Sequence, residues 1–191
     1  MAKYNQEHVV DYIQVNSGRR FYVLNPRKED IIIEDIAHAL SNLCRFTGHG
    51  DRFYCVGEHS ILCYLVAKEL NLSPKLQMYA LCHDASEAVM NDLARPVKQQ
   101  VPQYKEVEDN VMKVMWEVVG VPCPTQEEYE IVKKIDNTVL LLELTQLMKR
   151  DLKDYPKLDV FDVYIRIGDG YNALESKADF LNIYNDLIKQ L

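Results

Sequence analysis

The chain of 191 residues is short of the features that mark several protein classes. It has no apolar run long enough to span a bilayer, and its opening MAKYNQEHVV lacks the apolar stretch of a signal peptide. Neither a membrane partner nor export is therefore expected. The five cysteines (Cys44, Cys55, Cys63, Cys82 and Cys123) are odd in number and show no C-x-x-C spacing. That pattern argues against a disulfide framework and against a thiolate zinc site, and points to a reducing cytoplasm. Cys82 reads as a small core residue rather than a nucleophile. Positive charge is also in deficit: 22 Lys and Arg against 29 Asp and Glu leave a net charge of −7. Such a balance disfavours a nucleic-acid polymer or an anionic membrane as partner. It still admits a small phosphate ligand, because a metal ion or a few local cations can reverse the sign inside a pocket. Internal repeats, low-complexity tracts and linkers are missing too, and the length suits one domain over 1–191.

What is present is an ordinary globular composition, 48% hydrophobic and 27% charged. In the segment 1–26, the β-type runs YIQV and RFYVL flank NSGR, whose Asn16 and Gly18 supply turn chemistry for a hairpin. After Pro26 the pattern predicts helices throughout a core of 27–191. Ile33, Ile36, Ala37, Leu40 and Cys44 recur at helical spacing. A loop with Gly48, Gly50 and Gly57 leads into the helix around EHSILCYLVAKEL. Ser73 and Pro74 read as cap and first residue of the next helix. A helix ending at Gly120, one opening on the capping box Thr125-x-x-Glu128, and a last one over ALESKADFLNIYNDLIKQL complete the set. The predicted fold is all-α with a small N-terminal β-hairpin.

Within that core, YALCHDASEAVMNDLARPVK sets ionisable groups in an apolar helix. His83 and Asp84 are adjacent, so on a helix their side chains diverge by about 100° yet can reach one point over its edge. Glu87 stacks on the same face. An imidazole with a carboxylate is a typical donor pair for Zn, Mn, Fe or Co, and burying a carboxylate without a partner is costly. Asp136 repeats the anomaly, sharing the core-facing stripe of Val132, Ile135, Val139 and Leu140. His59 sits among Ile61, Leu62, Leu65 and Val66, where a lone histidine is more often a hydrogen-bonded core residue. His59, His83, Asp84 and Asp136 could meet around one ion.

The order H…HD…D resembles the HD-domain phosphohydrolase superfamily, whose core is a helical bundle. HDASEAVMNDLARPVK is similar to the HDASE…D-L-x-x-P-V-K segment of its nucleotidase branch, and IEDIAHALSNLCRFTGH…FYCVGEHS is similar to small HD proteins. The resemblance covers most of the chain. It implies that His59, His83, Asp84 and Asp136 ligate a divalent metal (Co, Mn, Mg, Zn or Fe), that Glu87 orients or deprotonates the attacking water, and that Asp92 is a second active-site carboxylate. It further implies Arg45 and Lys98 on phosphate and Phe46 beside the nucleoside, whereas each of these alone would read as a surface charge or a core aromatic. His49, in TGHGD, could touch substrate or simply be exposed, and Arg19 and Arg20 could reach a longer phosphate tail or a neighbouring subunit.

The expected activity is metal-dependent removal of 5′-phosphate groups from deoxy or modified nucleotides. One alternative is a triphosphate substrate losing its phosphates one by one or as whole triphosphate; another is a nucleotide sensor without turnover. Related small HD proteins assemble, so a homo-oligomer is expected, with a dimer favoured.

Overall fold

The computed structural model describes residues 11–153 and 155–191. Within them, polar caps and proline set several helix starts. Ser73 accepts the Leu76 N–H ahead of Pro74, and Thr125 and Glu128 exchange backbone bonds at 3.3 and 2.9 Å in a reciprocal box. Asn172 and Glu175 form the same box at the last helix. Gly120, at φ 87, closes the helix before it in the left-handed conformation that glycine adopts without strain.

The elements run β1 (Ile13–Gln14), β2 (Arg20–Phe21), α1 (Ile33–Asn42), α2 (Val56–Glu69), α3 (Pro74–Cys82), α4 (Glu87–Met90), α5 (Arg95–Lys98), α6 (Pro102–Val119), α7 (Gln126–Gln146) and α8 (Ala173–Ile188). The protein is thus mostly helical with one small antiparallel sheet, pairing Ile13 with Phe21 and Gln14 with Arg20. The hairpin is shorter than its two β-type runs suggest. It is fastened to the helices by the buried Asp35, which accepts the Ser17 N–H at 2.6 Å and the Ser17 hydroxyl at 2.8 Å. Residues 1–10 of the expected N-terminal segment lie outside the described residues.

Helix α2 is buried around most of its circumference and packs against α1, α3, α7 and α8, as expected for a helix at the centre of a bundle. Gly57 lies inside α2 rather than in the preceding loop. A Cβ there would stand 2.6 Å from Ser176 Oγ and 2.9 Å from Ser41 Oγ, so the close seating of α1 and α8 on α2 requires glycine. One apolar cluster joins Phe21, Ile36, Leu40, Met78, Met115, Trp116 and Phe180. Another joins Leu62, Cys63, Val66, Ala80, Ile135 and Val139, where α2, α3 and α7 meet.

The expectation of helix throughout 27–191 fails between α7 and α8. Phe161, Val163, Ile165 and Ile167 point inward there while Asp162, Tyr164 and Arg166 are exposed, the period-two alternation of an extended chain. Side chains of α7 hold it: Thr138 Oγ1 accepts the Phe161 N–H, and the Gln146 amide bonds Ile167 N and Ile165 O. Arg52 grips the buried Glu58 with both guanidinium nitrogens and donates to Gly168 O, fixing the end of this segment to the start of α2.

Candidate metal centre

His83 and Asp84 stand at the C-terminal end of α3 rather than inside a continuous helix. Beyond Cys82 the chain tightens into three-residue bonds, Ala85 N to Cys82 O at 3.0 Å and Glu87 N to Asp84 O at 2.9 Å, before the single turn of α4. Three residues per turn eclipse positions i and i+3, which sets Glu87 over Asp84. The helix end also supplies a carbonyl, Ala80 O, that accepts a bond from His83 Nδ1 at 2.9 Å.

That bond, and one on α2, decide what the two imidazoles offer. A carbonyl only accepts, so His83 carries its proton on Nδ1. His59 Nδ1 lies 2.7 Å from the Glu143 carboxylate and donates in the same way. In the neutral rings both Nε2 atoms are left as bare lone pairs. They face each other at 3.4 Å. Asp84 Oδ2 lies 3.6 Å from His59 Nε2 and 3.3 Å from His83 Nε2. Asp136 Oδ1, from α7, lies 3.5 and 3.9 Å from the same two nitrogens. Donors about 2.1 Å from a shared ion stand roughly 3.0 Å apart on an octahedron and roughly 3.4 Å apart on a tetrahedron. The separations between each carboxylate and the two imidazole nitrogens are compatible with a shared cation, while Lys133 donates to the other Asp136 oxygen at 2.5 Å and Arg45 flanks Asp84.

The electrostatics agree. Burial and Arg45 oppose charge on His59, yet Cys63, Glu143 and Asp136 outweigh them and hold its proton affinity well above the imidazole range. Burial raises the Asp136 carboxyl, but His59, His83 and Lys133 overcome this and hold it well below the usual range; Asp84 is lowered likewise by His83 and His59. The cluster favours positive charge.

Cys63 was not anticipated. One turn beyond His59 on α2, its sulfur lies 3.5 Å from His59 Nε2, and the buried group His59–Cys63–His83 could hold a metal ion. Burial pushes its thiol up to about 11. A histidine and a cysteine four residues apart on a helix form a one-face pair that C-x-x-C spacing does not capture.

Glu143 was also missed, although it repeats the signal of Asp136: an acidic residue on an apolar helix, two turns further along α7. Fully buried, it accepts from His59, from Tyr54 OH at 2.7 Å and from Arg45 Nη2 at 3.1 Å. Arg45 also approaches Asp84 at 3.7 Å, and its buried Nε has no partner. Burial disfavours its charge, but Glu143 and Asp84 outweigh this and keep the guanidinium firmly protonated. Phe46, with Arg45 5.3 Å from its ring, and Thr47 have φ 54 and 53, a strained left-handed conformation for such residues.

The buried Glu87 has one oxygen, Oε2, without a partner, and burial together with Asp84 and Asp92 holds its carboxyl well above the usual range. Asp92, in the loop after α4, is raised too, chiefly by burial. Lys98 is tied to Glu108 at 2.5 Å, and His49 is exposed at the end of the Arg45–Gly48 turn. Arg19 donates to Glu29 O and Arg20 lies over the Tyr12 ring. No helix among the described residues is long and apolar enough to cross a membrane.

No family model matches the chain. It is 35% identical over 185 residues to the uncharacterized protein YfdR of Escherichia coli (strain K12), covering 93% of this chain and 96% of that protein. It is 34% identical over 137 residues to the uncharacterized protein RCAP_rcc00048 of Rhodobacter capsulatus, covering 69% of this chain and 70% of that protein. Neither name states an activity. At these identities and over this much of each relative, the chain belongs to the protein family that contains YfdR and RCAP_rcc00048.

Proposed function

We propose that the protein is a metal-dependent phosphohydrolase that removes the 5′-phosphate from nucleoside monophosphates, with a preference for deoxy or modified sugars. The observation that carries this reading is the convergence of His59 Nε2, His83 Nε2, Asp84 Oδ2 and Asp136 Oδ1 beside a charged arginine and an unpartnered carboxyl. These four residues would hold the ion, and a mixed nitrogen and oxygen set suits Mn, Co, Fe, Zn or Mg. When bound, a divalent ion there polarises a phosphoryl oxygen and acidifies water.

The protein's own groups supply the rest. Arg45 binds the phosphate through charge-assisted hydrogen bonds from its guanidinium, whose Nη1 lies toward Asp84. Glu87 takes the proton of the attacking water; its carboxyl, raised by burial and by Asp84 and Asp92, is once ionised a stronger base than an exposed glutamate. The water oxygen bonds to phosphorus, the bond from phosphorus to the 5′-oxygen breaks, and the departing oxygen takes up the proton that Glu87 accepted. Asp92 and Phe46 are assigned to the nucleoside.

A monophosphate is favoured over a triphosphate because the basic groups that could hold a phosphate tail are engaged or remote: Lys98 with Glu108, Arg19 with a backbone carbonyl, Arg20 with Tyr12. A sensor without turnover gives no role to the unpartnered Glu87. Time-resolved product analysis on dAMP and dATP, with the protein loaded in turn with Mn²⁺, Co²⁺, Mg²⁺ and Zn²⁺, tests the reading. Inorganic phosphate from dAMP is expected. Whole triphosphate from dATP with dAMP inert overturns the choice of substrate, and inertness toward all nucleotides overturns the enzyme.

A further inference from the structure

We infer that Glu143 is the positioning residue of the centre: one buried carboxylate orients a metal ligand and the anion-binding arginine together. This rests on the metal reading above. Glu143 Oε1 receives the His59 Nδ1 proton and the Tyr54 hydroxyl, each at 2.7 Å, while Oε2 receives Arg45 Nη2 at 3.1 Å. His59 and Glu143 are wholly buried, so water cannot stand in for any of these bonds.

Two consequences follow from the geometry. By accepting at Nδ1, Glu143 holds His59 in the tautomer whose Nε2 is free to ligate, and its charge makes that nitrogen a better donor. By accepting from Nη2, it turns the guanidinium so that Nη1 lies toward Asp84 Oδ2, at 3.7 Å. Tyr54 carries no charge into the network; it satisfies the carboxylate and closes it from the apolar side, where it packs with Leu62 and Val66.

The test is titration of the purified full chain with Mn²⁺ alone, for wild type, Glu143→Gln and Tyr54→Phe, alongside thermal melts. Removing an outer carboxylate from a metal-bound histidine typically costs about 10–100-fold in affinity, and that loss is expected for Glu143→Gln. Tyr54→Phe breaks a bond in the same network but leaves the carboxylate on His59, so its affinity should stay within a few-fold whatever its loss of stability. Equal affinity in Glu143→Gln and wild type, or a matching loss in Tyr54→Phe, overturns the inference and makes the network merely structural. Wild type that binds no Mn²⁺, Co²⁺ or Zn²⁺ overturns the metal reading itself. Should Glu143→Gln not fold, the ring nitrogens of His59 in the zinc-loaded wild type decide by NMR. A proton on Nδ1 supports the assignment, and a proton on Nε2 overturns it.

Discussion

The centre has two halves built differently. His59 and Asp136 project from the interiors of α2 and α7, long helices locked by packing on several sides. His83, Asp84, Glu87 and Asp92 come from a stretch in which the helix ends, tightens, makes a single turn and breaks again. A continuous helix would also keep Glu87 near His83 and Asp84, but it would leave His83 and Asp84 diverging by about 100°. The tightened chain puts Glu87 over Asp84 and frees the end-of-helix carbonyl that orients His83. Regular structure thus supplies fixed donors, and irregular structure supplies groups that must point at the same place from neighbouring positions.

Breaking either half should have a different signature. The largest effect is expected from the donors: Asp136→Ala in the helical half and Asp84→Ala in the irregular half should each abolish tight metal binding, read by metal analysis after dialysis, with the far-ultraviolet helix signal retained. Full occupancy in both would remove the centre.

Next comes Glu87→Gln, which alters the irregular half without touching a donor. Metal occupancy should persist while turnover falls by about 10²–10⁴, the usual worth of a general base. An unchanged kcat, with the chemical step rate-limiting, would transfer that role to Asp92.

The same variant sharpens the comparison through stability. Burial, Asp84 and Asp92 make the Glu87 carboxyl bind its proton more tightly in the folded protein than in the unfolded chain. Its ionisation therefore costs stability, beginning as pH rises past the unfolded value near about 4.3 and complete above the raised folded value. Metal-free Glu87→Gln should melt at a higher temperature than wild type at pH 8, and this advantage should vanish in acid below the unfolded value. A higher melting temperature for wild type at pH 8 would mean that the carboxylate has a stabilising partner.

The smallest effect is expected at Cys63. With the carboxylates as donors, Cys63→Ser should leave Mn²⁺ affinity nearly unchanged, and the Co²⁺ protein should lack the near-ultraviolet thiolate-to-metal band. Such a band in wild type, lost in Cys63→Ser, would reassign the ion to His59, Cys63 and His83.

Local chemistry was legible without the fold. Ser73–Pro74, Thr125 with Glu128, and Gly120 mark helix ends because a cap satisfies backbone groups within a few residues of itself. Asp136 stood out because a carboxylate on an apolar stripe is anomalous wherever the helix packs. Glu143 carried the same anomaly within LLLEL, and the alternation FDVYIRI carried the extended segment before α8; both signals were in the chain and were passed over. The break after Cys82 is another matter. The apolar run before it and the Ala-rich DASEA after it have helical propensity and contain no glycine or proline, and the contacts that distinguish this stretch are the long-range ones of Asp84 with Arg45 and His59 and of His83 with Asp136.

The sequence by itself determined where several helices begin and end, and that acidic groups lie on faces that must be buried. Tertiary structure alone decided that Nε2 of each histidine faces the other and that Arg45 meets Glu143 across 98 positions of chain. It also decided that Cys63 lies beside the same nitrogens. Caps and periodicity act over a few residues, whereas tautomers, ligand distances and shared protons depend on atoms that only the packing of α2, α3 and α7 brings together.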